Sequence, residues 1–322
     1  MDVTVIIPTF NGEAYLAEVL DAIASQDFDG SVETLVVDSG SQDGTLEIVR
    51  SRPSVRLHEI PNSEFGHGRT RNLAARLATG DTVVFLTQDA IPAHDGWLRE
   101  LVAPLDPERG GAAAVTGQQI PRPTCFPLMK YDIQSTFAAV GPPDRVTVER
   151  WTPADGEAAL IARSFYSDVN AATRRAFLLD TVPLQDVPYS EDFAFAQDIL
   201  RAGYAKAYAP AGSVIHSNDL TLEEYRKRIF EETIALRRLG HAVGVITRWR
   251  RVSRGTYFAL RDSVRIIRDP DYGAAATLGW LVRNPRYHRA RWHALYDASH
   301  VELDDHETIA RGSLETDKKT AS

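Results

Sequence analysis

The chain has one cysteine, Cys125, and only two methionines among its 322 residues. A lone thiol makes no internal disulfide and no Cys-based metal site. No run approaches the ~18 apolar residues that a membrane span needs, and the longest stretch, around Gly273–Val282, is too short. The N-terminus enters MDVTVIIPTF without a basic region, a long apolar stretch or a cleavage site, which argues against secretion. Three motifs are also missing. There is no G-x-x-x-x-G-K-[ST] phosphate cradle, no G-x-G-x-x-G after the first apolar run, and no G-x-S-x-G elbow. P-loop kinases and ATPases, NAD(P) Rossmann enzymes and α/β-hydrolases thereby lose their defining features. The composition that remains, 43% hydrophobic and 25% charged, is globular. The expectation is a cytoplasmic enzyme.

Lysine is missing from one region in particular. Residues 237–293 carry 13 arginines, no lysine and only three acids, Asp262, Asp269 and Asp271, a net of +10. The preceding 236 residues sum to −14 and the last 29 to −4. This split predicts a body and an appendage in different surroundings.

The body alternates strand and helix patterns. Val3–Ile7 is a short apolar run suited to a parallel strand buried on both faces. Leu16, Val19, Leu20 and Ile23 follow with the spacing of a helix lying on a sheet. Further strands are expected at Thr34–Val37, Val55–Ile60, Thr82–Leu86 and Ala112–Thr116, with helices near Leu46–Val49, Thr70–Thr79 and Trp97–Val102. The proline-rich stretch 119–165 reads as loops and short helices. After it come a strand at Val169–Thr173, a helix capped by Ser190, short strands at Tyr204–Tyr208 and Ser213–His216, and a capping box, Thr221-Leu-Glu-Glu224, opening a long helix. The βαβα order predicts a three-layer α/β sheet.

Polar clusters follow three strand ends: Thr9–Asn11, Asp38–Asp43 and Gln88–Asp89. Ligands of open α/β sheets bind outside the carboxyl ends of strands, so the shared sheet end favours ligand roles for Asp38 and Asp89 over simple capping. A strand-end carboxylate can accept a base N–H or ligate a divalent cation bridging to phosphates. Asp43, in Gln-Asp-Gly-Thr, reads as a cap. Glu191-Asp192 in a first helical turn is either a complement to the helix dipole or a general base. His67 lies in Phe65-Gly66-His67-Gly68-Arg69-Thr70-Arg71-Asn72, where two glycines permit close backbone approach and Arg69 and Arg71 could pair with phosphate oxygens; the plainer alternative is a solvated turn. His216, after Val214-Ile215, is either a satisfied structural histidine or a metal ligand.

Taken in order and spacing, Ile6-Ile7-Pro8-Thr9-Phe10-Asn11-Gly12, Val36-Val37-Asp38-Ser39-Gly40-Ser41-Gln42-Asp43-Gly44-Thr45, Arg71-Asn72, Gln88-Asp89 and Glu191-Asp192 resemble the family-2 inverting glycosyltransferases of GT-A fold. The resemblance covers about residues 1–240 and implies an α/β, GT-A-type three-layer sheet with a Rossmann-like nucleotide-binding half, followed by a C-terminal helical extension. Within it, Phe65–Asn72 and Phe85-Leu86-Thr87-Gln88-Asp89-Ala90 are similar to the bacterial rhamnosyltransferase branch. It implies a nucleotide-sugar pocket lined by Pro8, Thr9, Phe10, Asp38, His67, Arg69, Arg71, Gln88 and Asp89, with Asp38 accepting from a pyrimidine N3–H and Arg71 beside the diphosphate. Gln88-Asp89 stands where the family has Asp-x-Asp, so the first acid is absent. One carboxylate plus substrate phosphates remains a Mg²⁺-type ligand set. The resemblance further implies Asp89 and His216 as ligands of Mg²⁺ or Mn²⁺, and Asp192, preceded by Glu191, as catalytic base. Donor and acceptor would be a nucleoside-diphosphate sugar, foremost dTDP-L-rhamnose, and a saccharide or polyprenyl-linked saccharide of cell-envelope polysaccharide. The alternatives are a UDP-sugar donor, a sugar-nucleotide-binding protein that has lost catalysis, and a nucleotidyltransferase, which lacks its Gly/Arg-rich first loop here.

The implied organisation is a glycosyltransferase domain over 1–240, a basic helical extension over 241–296 and a disordered acidic tail over 297–322. In Arg254–Arg268, helical spacing sets Tyr257, Leu260, Val264 and Ile267 on one arc and Arg254, Arg261, Arg265 and Arg268 on its neighbour. Such a helix suits an anionic membrane interface, as a peripheral contact on the inner face of the cell membrane. It equally suits docking on the acidic body or an oligomer interface. No nucleic-acid-reading motif accompanies the charge.

Overall fold

A computed structural model describes residues 1–218, 220–314 and 316. The chain divides into two compact units, one of residues 1–120 with 135–216, the other of 121–134 with 217 onward.

The first unit holds β1 (Val3–Thr9), α1 (Leu16–Ala24), β2 (Val32–Asp38), α2 (Thr45–Arg50), β3 (Val55–Glu59), α3 (His67–Leu77), β4 (Thr82–Leu86), β5 (Ile91–Pro92), α4 (Trp97–Val102) and β6 (Ala114–Ile120). Helix α5 (Pro127–Val140) begins in the second unit and ends in the first. Then follow β7 (Thr147–Glu149), α6 (Glu157–Ala162), β8 (Asn170–Arg174), α7 (Arg175–Asp180), α8 (Glu191–Arg201) and β9 (Lys206–Ile215). The sheet order is β3-β2-β1-β4-β8-β6-β9-β5, with β7 also on β9. β3, β2, β1 and β4 run parallel, β8 is antiparallel to both β4 and β6, and β6 is parallel to β9.

Alternation along β1 explains the layers. Val3, Val5 and Ile7 face α1 and α4 through Leu16, Val19, Trp97 and Leu98. Ile6 faces the opposite layer, with Ala74 of α3, Leu178 of α7 and Phe195 and Ile199 of α8. Each fully buried aliphatic or aromatic side chain contributes roughly 1.5–3 kcal/mol. The one indole in this core, Trp97, gives its N–H to Asn170 Oδ1 at 2.9 Å, so its burial leaves no orphan donor.

Three sequence expectations change. The stretch 119–165 contains a 14-residue helix, α5, whose weak amphipathy hides it from a periodicity reading. The two short strands expected at 204–208 and 213–216 are one strand, β9. Its register against β6 is irregular between Gly117 and Gln119, so Pro210 falls where no ladder bond is asked of it. Ser190 adopts a left-handed backbone (φ 62°) and makes no side-chain cap.

The second unit holds α9 (Leu222–Arg238), α10 (Arg248–Arg268), α11 (Ala274–His300) and α12 (His306–Gly312). The Thr221/Glu224 capping box opens α9 reciprocally. Its stripe of Tyr225, Ile229, Phe230 and Ile234 packs with Phe126, Leu128, Ala294 and Ala298. That stripe puts α9 with the helical unit, so the compact division falls at 216/217, earlier than residue 240. The tail expected to be disordered from 297 is helical over 306–312, with Ser313 and Leu314 buried. Positions 315 and 317–322 lie outside the described residues.

Candidate active site

The strand-end clusters of the sequence all stand at one edge of the first unit's sheet. Asp38, last in β2, is fully buried and saturated. Its Oδ1 accepts the backbone N–H groups of Gly40 and Ser41, both at 2.9 Å. Its Oδ2 accepts the hydroxyls of Thr9 at 2.8 Å and Ser41 at 2.5 Å. The carboxylate thus builds the loop. To accept from a base N–H, it must first release the Ser41 hydroxyl. Loops 9–13 and 38–45 are further laced by Asn11 N to Ser41 Oγ, Gln42 N to Asn11 Oδ1 and Gly44 N to Glu13 Oε2. Asp43 accepts Thr45 N at 3.0 Å, the cap its sequence context suggests.

Gln88 has its amide committed as well. Its oxygen accepts Phe10 N at 2.9 Å and its nitrogen donates to Phe10 O at 3.1 Å. A Cβ at position 12 would lie 2.5 Å from that oxygen, so a larger residue there would displace the Gln88 amide. Gln88 therefore clamps the β1 loop where the family motif has an acid.

Asp89 meets His216 across the site edge, Oδ2 to Nε2 at 3.4 Å. Gln119 gives its amide N–H to Ser167 Oγ at 3.0 Å and turns its oxygen on His216 Nδ1 at 2.9 Å. That oxygen accepts from Nδ1 and fixes the ring, so Nε2 is the nitrogen turned to the carboxylate. A carboxylate oxygen and an imidazole nitrogen side by side are ligand types that suit a divalent cation, with Gln119 orienting the imidazole from behind. Among the described residues no three His, Cys, Asp or Glu side chains converge to hold a metal, so a cation bound by this pair would need further oxygen ligands from elsewhere.

The third cluster surrounds the N-terminus of α8. Arg71, buried in α3, donates through Nη1 to Glu191 Oε1 at 3.1 Å and to the His67 carbonyl at 3.0 Å. Its Nε lies 3.5 Å from Asp168 Oδ2. His67 Nδ1 stands 3.9 Å from Glu191 Oε1. Arg71 is thus the counter-ion of the buried carboxylates Glu191 and Asp168. Arg69 is half exposed and turned to the Phe65 carbonyl (2.9 Å) and Asp186 (3.9 Å). The glycines flanking His67 serve packing: a Cβ on Gly68 would lie 2.0 Å from the Gln185 carbonyl oxygen, and one on Gly66 2.8 Å from Asp186.

Asp192, partly buried, accepts the Phe193 N–H at 2.8 Å. Burial, then the Glu191 and Asp168 charges, hold its carboxyl well above the usual carboxylate range, opposed by the Phe193 N–H and Arg71. Burial also pushes Asp168 up to about 7, with Arg71 and His67 opposing and Glu191 assisting. Neither Asp168 oxygen has a hydrogen-bond partner among the described residues. Burial and neighbouring carboxylates thus raise the proton affinity of Asp168 and Asp192, and a carboxyl with raised proton affinity is what a general base requires.

Sequence reading missed Asp168, Gln119 and Ser167. Asp168 precedes β8, whose first residue pairs with Leu86 at the end of β4, and Thr87 N bonds to Val169 O at 3.1 Å. An antiparallel strand brings its amino end to the edge where parallel strands bring their carboxyl ends.

The glycosyl transferase family 2 pattern matches residues 4–178, more than half of the chain, and the chain belongs to that family. It is a glycosyltransferase with a GT-A-type mixed sheet and a helical C-terminal region. The chain is 34% identical over 235 residues to the O-antigen chain rhamnosyltransferase RfbN of Salmonella typhimurium, covering 72% of this chain and 71% of the relative. To the O-antigen chain rhamnosyltransferase WbaN of Salmonella anatum it is 32% identical over 232 residues, 71% and 70% of the two chains. In fold it is similar to the mannosyltransferase PcManGT from Pyrobaculum calidifontis, solved with GDP-Man and Mn²⁺ (TM-score 0.58, 22% identity, 94% of this chain and 87% of that one).

Proposed function

We propose that this enzyme transfers L-rhamnose from dTDP-L-rhamnose, with inversion, to a saccharide acceptor carried on a polyprenyl lipid in cell-envelope polysaccharide assembly. The observation that carries this reading is the identity to two O-antigen chain rhamnosyltransferases over more than two thirds of each chain. The buried acidic cluster at α8 supports the chemistry. Asp192 takes the proton of the acceptor hydroxyl as its oxygen forms a bond to the anomeric carbon. The bond from that carbon to the diphosphate breaks, and the diphosphate leaves with the electron pair. Arg71 and Glu191 hold the α8 terminus in place, and Asp168 keeps the proton affinity of Asp192 high. Thr9, Asp38 and Phe10 shape the nucleoside loop, and Gln88 fixes it. Asp89 and His216 would hold Mg²⁺ or Mn²⁺, which neutralises developing charge on the leaving diphosphate when bound.

Thermal denaturation with a panel of nucleotide sugars tests the donor. A ligand at 100 times its Kd adds about 2.7 kcal/mol. dTDP-L-rhamnose should raise the melting temperature most, and more with Mg²⁺ or Mn²⁺ present. Stabilisation by UDP-sugars alone would replace the rhamnosyl assignment by a UDP-sugar transferase.

A further inference from the structure

Helix α10 packs within its unit through small and buried residues: Gly255, Ala259, Asp262 and Ile266 lie on its covered side. Asn284 of α11 donates to the Ala259 carbonyl at 2.7 Å, and His288 of α11 meets Asp262 at 3.1 Å. The opposite side carries the larger apolar residues. Trp249 is 76% exposed, Leu260 67% and Ile267 63%, with Tyr257 and Val264 on the same arc. Helix α11 also exposes Leu278 and Val282. The apolar arc read in the sequence is therefore exposed, and the packing within the unit is done by the other side.

Charge selects what this arc can meet. The three acids of 237–293 are spent internally: Asp262 on Arg261 and His288, and Asp269 and Asp271 on Lys130 at 2.8 and 2.6 Å. Arg261 also lies over the Phe258 ring and Arg265 over Tyr131. Arg250, Arg254 and Arg268 sit on the arc next to the apolar one, and none makes a salt bridge among the described residues. A second copy presenting the same face would set uncompensated arginines against arginines. An anionic bilayer surface complements both features, taking the apolar residues below the headgroups and the guanidinium groups among the phosphates.

We propose that the exposed arc of α10, Trp249, Tyr257, Leu260, Val264 and Ile267 with Arg250, Arg254 and Arg268 beside it, is a docking surface for an anionic lipid membrane. No described helix is long and apolar enough to cross a bilayer, so the contact is interfacial. It stands on the exposed face and its charge, independently of the donor and acceptor proposed above.

Sedimentation of the full chain with vesicles tests it. Binding is expected to vesicles of phosphatidylcholine with phosphatidylglycerol and not to phosphatidylcholine alone, and to weaken with added salt. Two variants separate the contributions. Leu260→Glu with Ile267→Glu removes insertion, and Arg250→Glu, Arg254→Glu and Arg268→Glu removes attraction. Each should lower partitioning at least about tenfold. Every changed residue is exposed, so circular dichroism and donor-induced thermal shifts should match wild type. No binding by wild type, equal binding to neutral vesicles, or variants that alter only the oligomeric state in size-exclusion chromatography would each overturn the proposal. The last outcome would assign the face to a second copy.

Discussion

At the scale of single residues, the buried carboxylate cluster around Asp192 is the feature with the most consequences. Asp168, Glu191, Asp192, Arg71, His67 and the buried Tyr166 face one another there. Asp168 holds its proton up to about 7 in the folded chain, whereas an unfolded aspartate releases it near 3.9. The folded state therefore binds more protons between those values. The stability contributed is full below about 4 and is lost as pH rises through about 7. Asp168→Asn should flatten the dependence of the urea midpoint on pH across that window, and should move the acid limb of kcat/KM to lower pH by removing a charge that raises Asp192. An unchanged midpoint slope and an unchanged limb would show that Asp168 does not titrate with the cluster. Gln88 makes a second residue-scale case. Gln88→Ala frees both hydrogen bonds to the Phe10 backbone and should cost about 1–3 kcal/mol with a raised KM for donor. Gln88→Glu retains only the acceptor and should behave similarly.

At the scale of elements, α8 begins in a strained way. Ser190 sits at φ 62° and Asn11, in the β1 loop, at φ 49°, the two non-glycine residues with left-handed backbone among those described. Both flank site residues. Ser190→Gly should leave stability within about 1 kcal/mol, relief of the left-handed cost being offset by chain entropy. Ser190→Val should lower it by about 1–2 kcal/mol and displace Asp192, seen as a lower kcat with folded secondary structure. A kcat unchanged in Ser190→Val would detach the backbone strain from the site. Elements also explain what the sequence could reveal. β1, β2 and β4 were readable as apolar runs followed by polar clusters, which located Thr9, Asp38 and Asp89 at one sheet edge. Asp168 was not, because strand direction is invisible in a run of five residues and β8 turns out antiparallel. α5 lacked a period to read. The two short strands read at 204–208 and 213–216 join as β9 because the register irregularity opposite Pro210 asks for no donor from a residue that has none. For Arg71 the motif was legible but its partners were not: they come from Asp168 and Glu191, far along the chain.

At the scale of the whole molecule, the candidate site residues lie in the acidic unit and the arginine-rich arc in the helical one, so activity and the proposed membrane contact should separate by mutation. Within the acidic unit, Asp89→Ala is expected to abolish transfer, and chelation to reduce it strongly, with Mg²⁺ or Mn²⁺ restoring it. Full activity in excess chelator would return His216 to a structural role held by Gln119. The central claim is that Asp192, kept proton-hungry by burial and neighbouring carboxylates, deprotonates the acceptor. The most direct measurement compares wild type and Asp192→Asn for transfer from dTDP-L-rhamnose, with donor affinity measured in parallel. The account predicts that Asp192→Asn binds donor as wild type does and loses about 10²–10⁴-fold in kcat. Transfer at the wild-type rate by Asp192→Asn, with donor binding intact, would contradict it.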